Sequence, residues 1–191
     1  GWIYDSGKYQ GALERALEMI DYSDLAQKKA EAKKQGKRLG VGIGSYVGIS
    51  GVGPSPLMHS QIGLIGSTWG SVHLRVHPSG DVSLQVGSQP HGQGQVTTLS
   101  QVVAEVLGVD LEKIEILHSD TRGAIFGQGS YGSRTFSVEG TTIYKAAQKI
   151  QDKARQFAAH LFKVPESEVI ASEGKFYVKG ASDQVKTLQD I

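Results

Sequence analysis

The chain has 191 residues, 39% of them hydrophobic and 20% charged, which are ordinary globular values and exclude intrinsic disorder. Its 20 basic and 19 acidic groups leave a formal charge of +1, so net charge makes no case for nucleic acid or a membrane surface. Cysteine is absent, which excludes disulfides, zinc–thiolate sites and iron–sulfur sites built from this chain alone and agrees with a cytoplasmic location. No run approaches the roughly 20 consecutive apolar residues of a membrane helix and no basic-then-apolar signal opens the sequence, so a soluble protein without membrane insertion is expected.

Leu13, Ala16, Leu17 and Ile20 recur at helical spacing, and Asp21-Tyr22-Ser23-Asp24 interrupts them with an N-cap expected at Ser23. A second helix carries Lys28-Lys29-Ala30-Glu31-Ala32-Lys33-Lys34, whose interleaved signs read as a solvated face, and Gly36 stands where a C-cap glycine belongs. Leu39 to Ser50 alternates glycine with Val, Ile and Tyr. The glycine spacing fails the dinucleotide fingerprint, so the segment reads as a buried strand pressed against another backbone.

Val72, Leu74 and Val76, then Val82, Leu84 and Val86, alternate with polar residues around Pro78-Ser79-Gly80-Asp81, the pattern of an antiparallel hairpin. Leu99, Val102, Val103, Val106 and Leu107 fall on one helical face that Gly108 ends, and Ile114, Ile116 and His118 fit a strand. Val138, Ile143, Ala146, Ala147, Ile150, Ala154, Phe157, Ala158 and Leu161 mark a long helix. Val169-Ile170 and Phe176-Tyr177-Val178 flank Glu173-Gly174 as a small hairpin. Thr187-Leu188-Gln189-Asp190 has a capping-box signature, read as the start of a helix cut short in a fragment or one piece of a split polypeptide.

Two loops stand out. Gly87-Ser88-Gln89-Pro90-His91-Gly92-Gln93-Gly94 follows a strand and precedes a helix, and Phe126-Gly127-Gln128-Gly129-Ser130-Tyr131-Gly132-Ser133-Arg134 repeats the tactic. Glycine lets backbone approach a ligand closely, the following helices open with unsatisfied N–H groups that favour anions, and Gln, Ser and Thr add donors and acceptors suited to a heterocycle with amide-like edges. The strand–loop–helix order occurs twice, so both loops can open on one edge of the sheet and share a cleft.

These segments, with Tyr4-Asp5-Ser6-Gly7-Lys8-Tyr9 and Gly42-Ile43-Gly44-Ser45-Tyr46-Val47 through Gly53-Pro54, resemble in order and spacing the large, molybdenum-binding subunit of the molybdenum hydroxylases. That family includes xanthine dehydrogenase, aldehyde oxidoreductases and aerobic carbon monoxide dehydrogenase, and the wording of the first loop resembles the carbon monoxide dehydrogenase branch. The resemblance implies an α+β fold: a mixed or antiparallel sheet with long helices on one face, in two small lobes. It also implies one partial cofactor-binding domain over 1–191, with a helical lead-in over 1–38, a sheet-and-helix core over 39–180 and the truncated helix over 181–191.

It implies further a cofactor, molybdopterin or molybdopterin cytosine dinucleotide with molybdenum, and hydroxylation of carbon monoxide, an aldehyde or an N-heterocycle with water-derived oxygen. The implied partners are the remainder of the large subunit, a [2Fe-2S] subunit or domain and an FAD subunit or domain. By resemblance, Gln93 with Gly92 and Gly94 faces the cofactor near its active end, Gln95 follows where many members have His, and Thr97, Thr98 and Gly129 to Ser133 (Ser130, Tyr131, Gly132) grip pterin and phosphates. Arg134 is read either as a bidentate partner of pyrophosphate or as half of a structural salt bridge.

Two departures leave the substrate open: Gln95-Val96 replaces the His-Glu of many members, and Gly48 stands where Glu is common. The metal-proximal glutamate and reactive loop of the family are not in this chain. No catalytic residue and no metal ligand are therefore assigned, and the chain alone is expected to be inactive. His91 sits in the first loop as a ligand contact or a backbone partner; Asp120 and Glu139 are read as solvated or helix-capping. The competing readings are a structural or assembly domain without cofactor and a generic phosphate-binding α+β domain.

Overall fold

A computed structural model describes residues 7–46, 48, 51, 59–60, 63, 69–121 and 126–191. The resembling segments at Tyr4 to Ser6 and at Val47 and Gly53-Pro54 lie outside the described residues, as do Ile49 and Ser50. The chain divides into two units, Gly1–Val47 and Gly48–Ile191.

In the first unit α1 spans Tyr9–Met19, a 3₁₀ turn covers Tyr22–Asp24 and α2 spans Leu25–Lys34; none of these elements buries a residue. Ser23 is not the N-cap. Asp21 takes a left-handed conformation that starts the 3₁₀ turn, and α2 begins one residue after Asp24 without a side-chain cap. The end of α2 follows the sequence: Gly36 has φ +73°, and the Lys37 and Gly36 N–H groups bond the Ala32 and Lys33 carbonyls, a Schellman closure. Residues 39–46 form no strand and are exposed, and Cβ atoms added at Gly40, Gly42 and Gly44 would meet nothing within 4 Å. The expected buried strand is corrected here: alternating glycine removes the side chains of one face, and a strand needs a neighbour to pair with.

The second unit holds two sheets. β1 (Val72–Val76) and β2 (Val82–Val86) form the expected hairpin in antiparallel register, and β2 pairs in parallel with β3 (Ile114–Leu117). Between β2 and β3 runs α3 (Gln95–Leu107), closed at Gly108 in the left-handed region; after β3, α4 runs over Thr141–Phe162, entered through a π-helical turn at Phe136–Gly140. Val82, Leu84 and Val86 from the sheet, Leu99, Val103 and Leu107 from α3, and Ile143 and Ala147 from α4 are buried together as the main core.

α4 also spans a second core, where Ala154, Ala158 and Ala159 pack on Val169 of β4 (Val169–Ser172) and Phe176 of β5 (Lys175–Val178). The fold is thus α+β with one mixed and one antiparallel sheet, and the long helix is common to both lobes.

The expected terminal helix is a strand. β6 (Ala181–Thr187) pairs antiparallel with β5, with a register irregularity at Tyr177/Val178. The capping-box chemistry forms nonetheless, as a turn: the Thr187 N–H and Oγ1 both donate to Asp190 Oδ2, at 2.7 and 2.8 Å. Those bonds hold the Asp190 carboxyl below its usual range. A capping box describes four residues only; what precedes it here is decided by the open edge of β5.

Candidate functional site: two clasped loops on one groove

Because β2 and β3 are parallel neighbours, the chain leaves both at the same edge of the sheet. Residues 87–94 therefore start beside the segment that carries 126–134. The loops cross where neither has a side chain: a Cβ on Gly87 would stand 2.6 Å from Gly127 Cα, and one on Gly127 would stand 2.2 Å from the Gly87 carbonyl oxygen. Only glycine at both positions permits the contact.

The clasp continues in hydrogen bonds. The Gly129 N–H donates to the Gly87 carbonyl at 3.1 Å, and Ser130 Oγ donates to the Gln89 carbonyl at 2.5 Å and reaches Gln95 Oε1 at 3.3 Å. Thr135 Oγ1 donates to Ser130 Oγ at 3.0 Å, and Ser71 Oγ donates to the Phe126 carbonyl.

The clasp leaves an open groove of about 530 Å³ lined by Gln93, Gln95, Thr98, Ser130, Tyr131, Gly132 and Ser133, together with His91, Thr135 and Phe136. Seven of the twelve residues expected at a ligand thus share one surface. Gly92 and Gly94 are exposed left-handed glycines in the first loop, and Gly129 sits in the clasp itself. Thr97 is exposed on the first turn of α3 and does not line the groove. Thr135 and Phe136 were not expected. They reach the groove through the π turn that enters α4, and that turn has no sequence signature of its own.

Gln93 is half committed. Its side-chain oxygen accepts the His91 N–H, which leaves the amide NH₂ as the part directed at a ligand. Gly94 starts α3 with φ 76° and no side-chain cap, so the first N–H groups of a 13-residue helix remain to be satisfied at the groove. Tyr131 and Phe136 are 49% and 55% exposed, giving an apolar margin of two rings on which a flat heterocycle can stack.

Arg134 lies elsewhere than on the groove. It is fully buried, its Nη1 donates to the Gly129 carbonyl at 2.7 Å and its Nη2 to the Trp69 carbonyl at 2.5 Å, and Tyr131 lies over the guanidinium at 5.2 Å. A pyrophosphate contact is therefore corrected to an internal one: the fork is occupied by two carbonyls. The alternative reading as half of a salt bridge is replaced too, because what the guanidinium meets at bonding distance is backbone. Glu139, expected to be solvated, is also fully buried, and neither of its oxygens has a hydrogen-bond partner among the described residues. Burial raises its carboxyl from 4.5 to about 7 against the pull of the Arg134 charge.

The donor set suits a phosphorylated heterocycle. Groove residues supply amides, hydroxyls and free backbone N–H groups, no carboxylate lines the groove, and a buried cation lies behind the second loop. A larger groove of about 830 Å³ near the end of α3 is lined by Glu105, Asp110 and Glu173 with no basic residue, which repels an anion. Groups of three or more His, Asp or Glu able to hold a metal are absent among the described residues.

Two clasped, carboxylate-free loops on a mixed sheet define a scaffold for an anionic heterocyclic ligand, and comparison with known proteins makes the class specific. The family model of the molybdopterin cofactor-binding domain matches residues 15–191, and the chain belongs to that family. It is 36% identical to the carbon monoxide dehydrogenase large chain of Afipia carboxidovorans and 31% identical to the nicotine 6-hydroxylase large subunit of Paenarthrobacter nicotinovorans, in each case over 100% of this chain.

The chain spans about a quarter of these relatives, 24% and 23% of their lengths. Among solved structures, a Cu,Mo-CO dehydrogenase in the carbon monoxide reduced state matches with a TM-score of 0.70 and 35% identity, over 100% of this chain and 24% of that one. Quinoline 2-oxidoreductase from Pseudomonas putida 86 matches at 0.69 and 28%, over 99% and 24%.

Proposed function

We propose that this chain is the pterin- and phosphate-gripping part of a molybdenum hydroxylase large subunit, and that the clasped groove between residues 87–95 and 129–136 is where the cofactor lies. The observation that carries this reading is the clasp itself: two loops separated in sequence are held together by a backbone bond and by the Ser130 hydroxyl, and present a single anion-compatible surface. When bound, molybdopterin supplies the metal centre at which a small substrate is hydroxylated with oxygen derived from water. The residues of this chain bind and orient. The Gln93 amide and the Gly92 and Gly94 backbone meet the pterin end, and Gln95, Thr98 and Ser130 to Ser133 hold pterin and phosphates.

The dinucleotide form is taken as cytosine and the substrate as carbon monoxide, an aldehyde or an N-heterocycle; relatives named for carbon monoxide, nicotine and quinoline support the first and last of these substrates. The chain then works with the remainder of the large subunit and with [2Fe-2S] and FAD partners, in the cytoplasm, and the 191 residues alone do not turn over substrate. Two measurements test the reading. Molybdenum and pterin content per chain should be stoichiometric when the protein is expressed in a host that makes the cofactor, and Ser130→Val should lower it while leaving the fold intact. Full retention in that variant contradicts the groove assignment. Affinity for simple nucleotides with no pterin or molybdenum favours the generic phosphate-binding alternative; neither kind of binding favours an assembly domain.

A further inference from the structure

The sequence offered Arg134 as a ligand contact, but its burial and its partners give it a different task. The guanidinium bridges two segments 60-odd residues apart, the carbonyl of Gly129 inside the second loop and that of Trp69 ahead of β1, using one prong of its fork for each. Tyr131, on the groove, lies over the same guanidinium, and Tyr131 Oη in turn donates to Gln128 Oε1 at 3.2 Å. Behind it, the Glu139 carboxylate is packed so tightly that a Cβ on Gly70 would stand 2.7 Å from its Oε2. Burial holds the proton on this carboxyl up to about pH 7 despite the Arg134 charge, so Glu139 faces the guanidinium without competing for its fork.

We infer that Arg134 is a positioning residue for the ligand groove: its fork fixes the shape of the 129–133 loop against Trp69. This rests on the reading of the groove as the cofactor seat. It assigns Arg134 no contact with the cofactor. The guanidinium bonds Gly129 and Trp69 and faces Tyr131 and Glu139, and two of these four belong to the loop that lines the groove.

The test compares Arg134→Lys, Glu139→Gln and the double variant Arg134→Met/Glu139→Met, following three quantities. These are the thermal midpoint, hydrogen exchange at the Gly129 amide with α3 amides as internal reference, and molybdenum and pterin bound per chain after expression in a cofactor-producing host. The double variant removes the buried guanidinium together with the unpartnered carboxyl packed behind it, so its midpoint should return close to that of the parent. Its Gly129 amide should nevertheless exchange about tenfold faster or more, as expected for loss of a charge-assisted bond to that loop, and its cofactor content should fall. Lysine, with a single tip in place of a fork, should recover only part of both.

Parent-like Gly129 protection in the double variant overturns the proposal and leaves the cofactor reading standing. Faster exchange with undiminished cofactor leaves Arg134 as a brace of the loop but overturns the groove as the cofactor seat. Should the double variant fail to fold, Arg134→Lys decides by the same two readouts: unchanged exchange and unchanged cofactor content overturn the proposal.

Discussion

Gln93 and Glu139 are single residues whose environments make opposite predictions. Gln93 is exposed, and with its side-chain oxygen accepting the His91 N–H its NH₂ remains to donate to a ligand. Gln93→Ala should therefore cost about 1 kcal/mol of cofactor affinity, roughly fivefold in retention by dialysis, with the thermal midpoint unchanged. Glu139 is buried, with its carboxyl raised to about 7. The folded chain holds that proton where the unfolded chain has released it, so stability should be full below about pH 4.5 and should decline as pH rises toward 7. Glu139→Gln should flatten that decline, measured as the urea midpoint at several pH values; an equal slope in both proteins would show that another group carries it. The interior position of Glu139 was hidden in the sequence, because a glutamate two residues before a helix is ordinarily a solvated first-turn acid and only the packing of Gly70 against it reverses that.

At the scale of elements, the periodic segments were readable and the pairings were not. The hairpin β1–β2, α3 with its Gly108 stop and the long α4 all follow from side-chain spacing, because one face of each is buried in a common core. Val103 is fully buried in that core, and Val103→Asp should unfold the second unit, with loss of cooperative thermal melting, through burial of an uncompensated charge. The failures share a cause. Leu39 to Ser50 as a strand and 181–191 as a starting helix both rested on local pattern, and a strand exists by virtue of its neighbour: residues 39–46 have none among the described residues, while 181–187 complete the sheet of β4 and β5. The loop crossing permits a sharper test. Gly127→Val places side-chain atoms where the Gly87 backbone stands, so it should abolish cofactor binding, read as molybdenum and pterin bound per chain.

For the whole molecule, burial is distributed unequally. The second unit holds both apolar clusters, whereas α1 and α2 have 11 and 10 residues and bury none of them. Helices of that length without a packed face are marginal in water. Amides of 9–34 should therefore exchange orders of magnitude faster than those of α3 and α4; comparable protection would mean that the first unit has a stable packing partner. The family was legible at this same scale, since the order of the two loops relative to strand and helix identified it, while the groove wall added by Thr135 and Phe136 depended on how α4 begins.

The backbone nature of the clasp bears on how such a site can change over time. Gly87 and Gly127 cross through main-chain atoms, and Gly129 is fastened to Gly87 by an N–H and a carbonyl that every non-proline residue possesses. The frame of the groove is consequently insulated from most substitutions on its rim. Rim side chains outside the crossing, such as Gln93 and Thr98, can vary the chemistry shown to a ligand without dismantling what holds it. A scaffold of this kind separates inheritance of the grip from diversification of what is gripped.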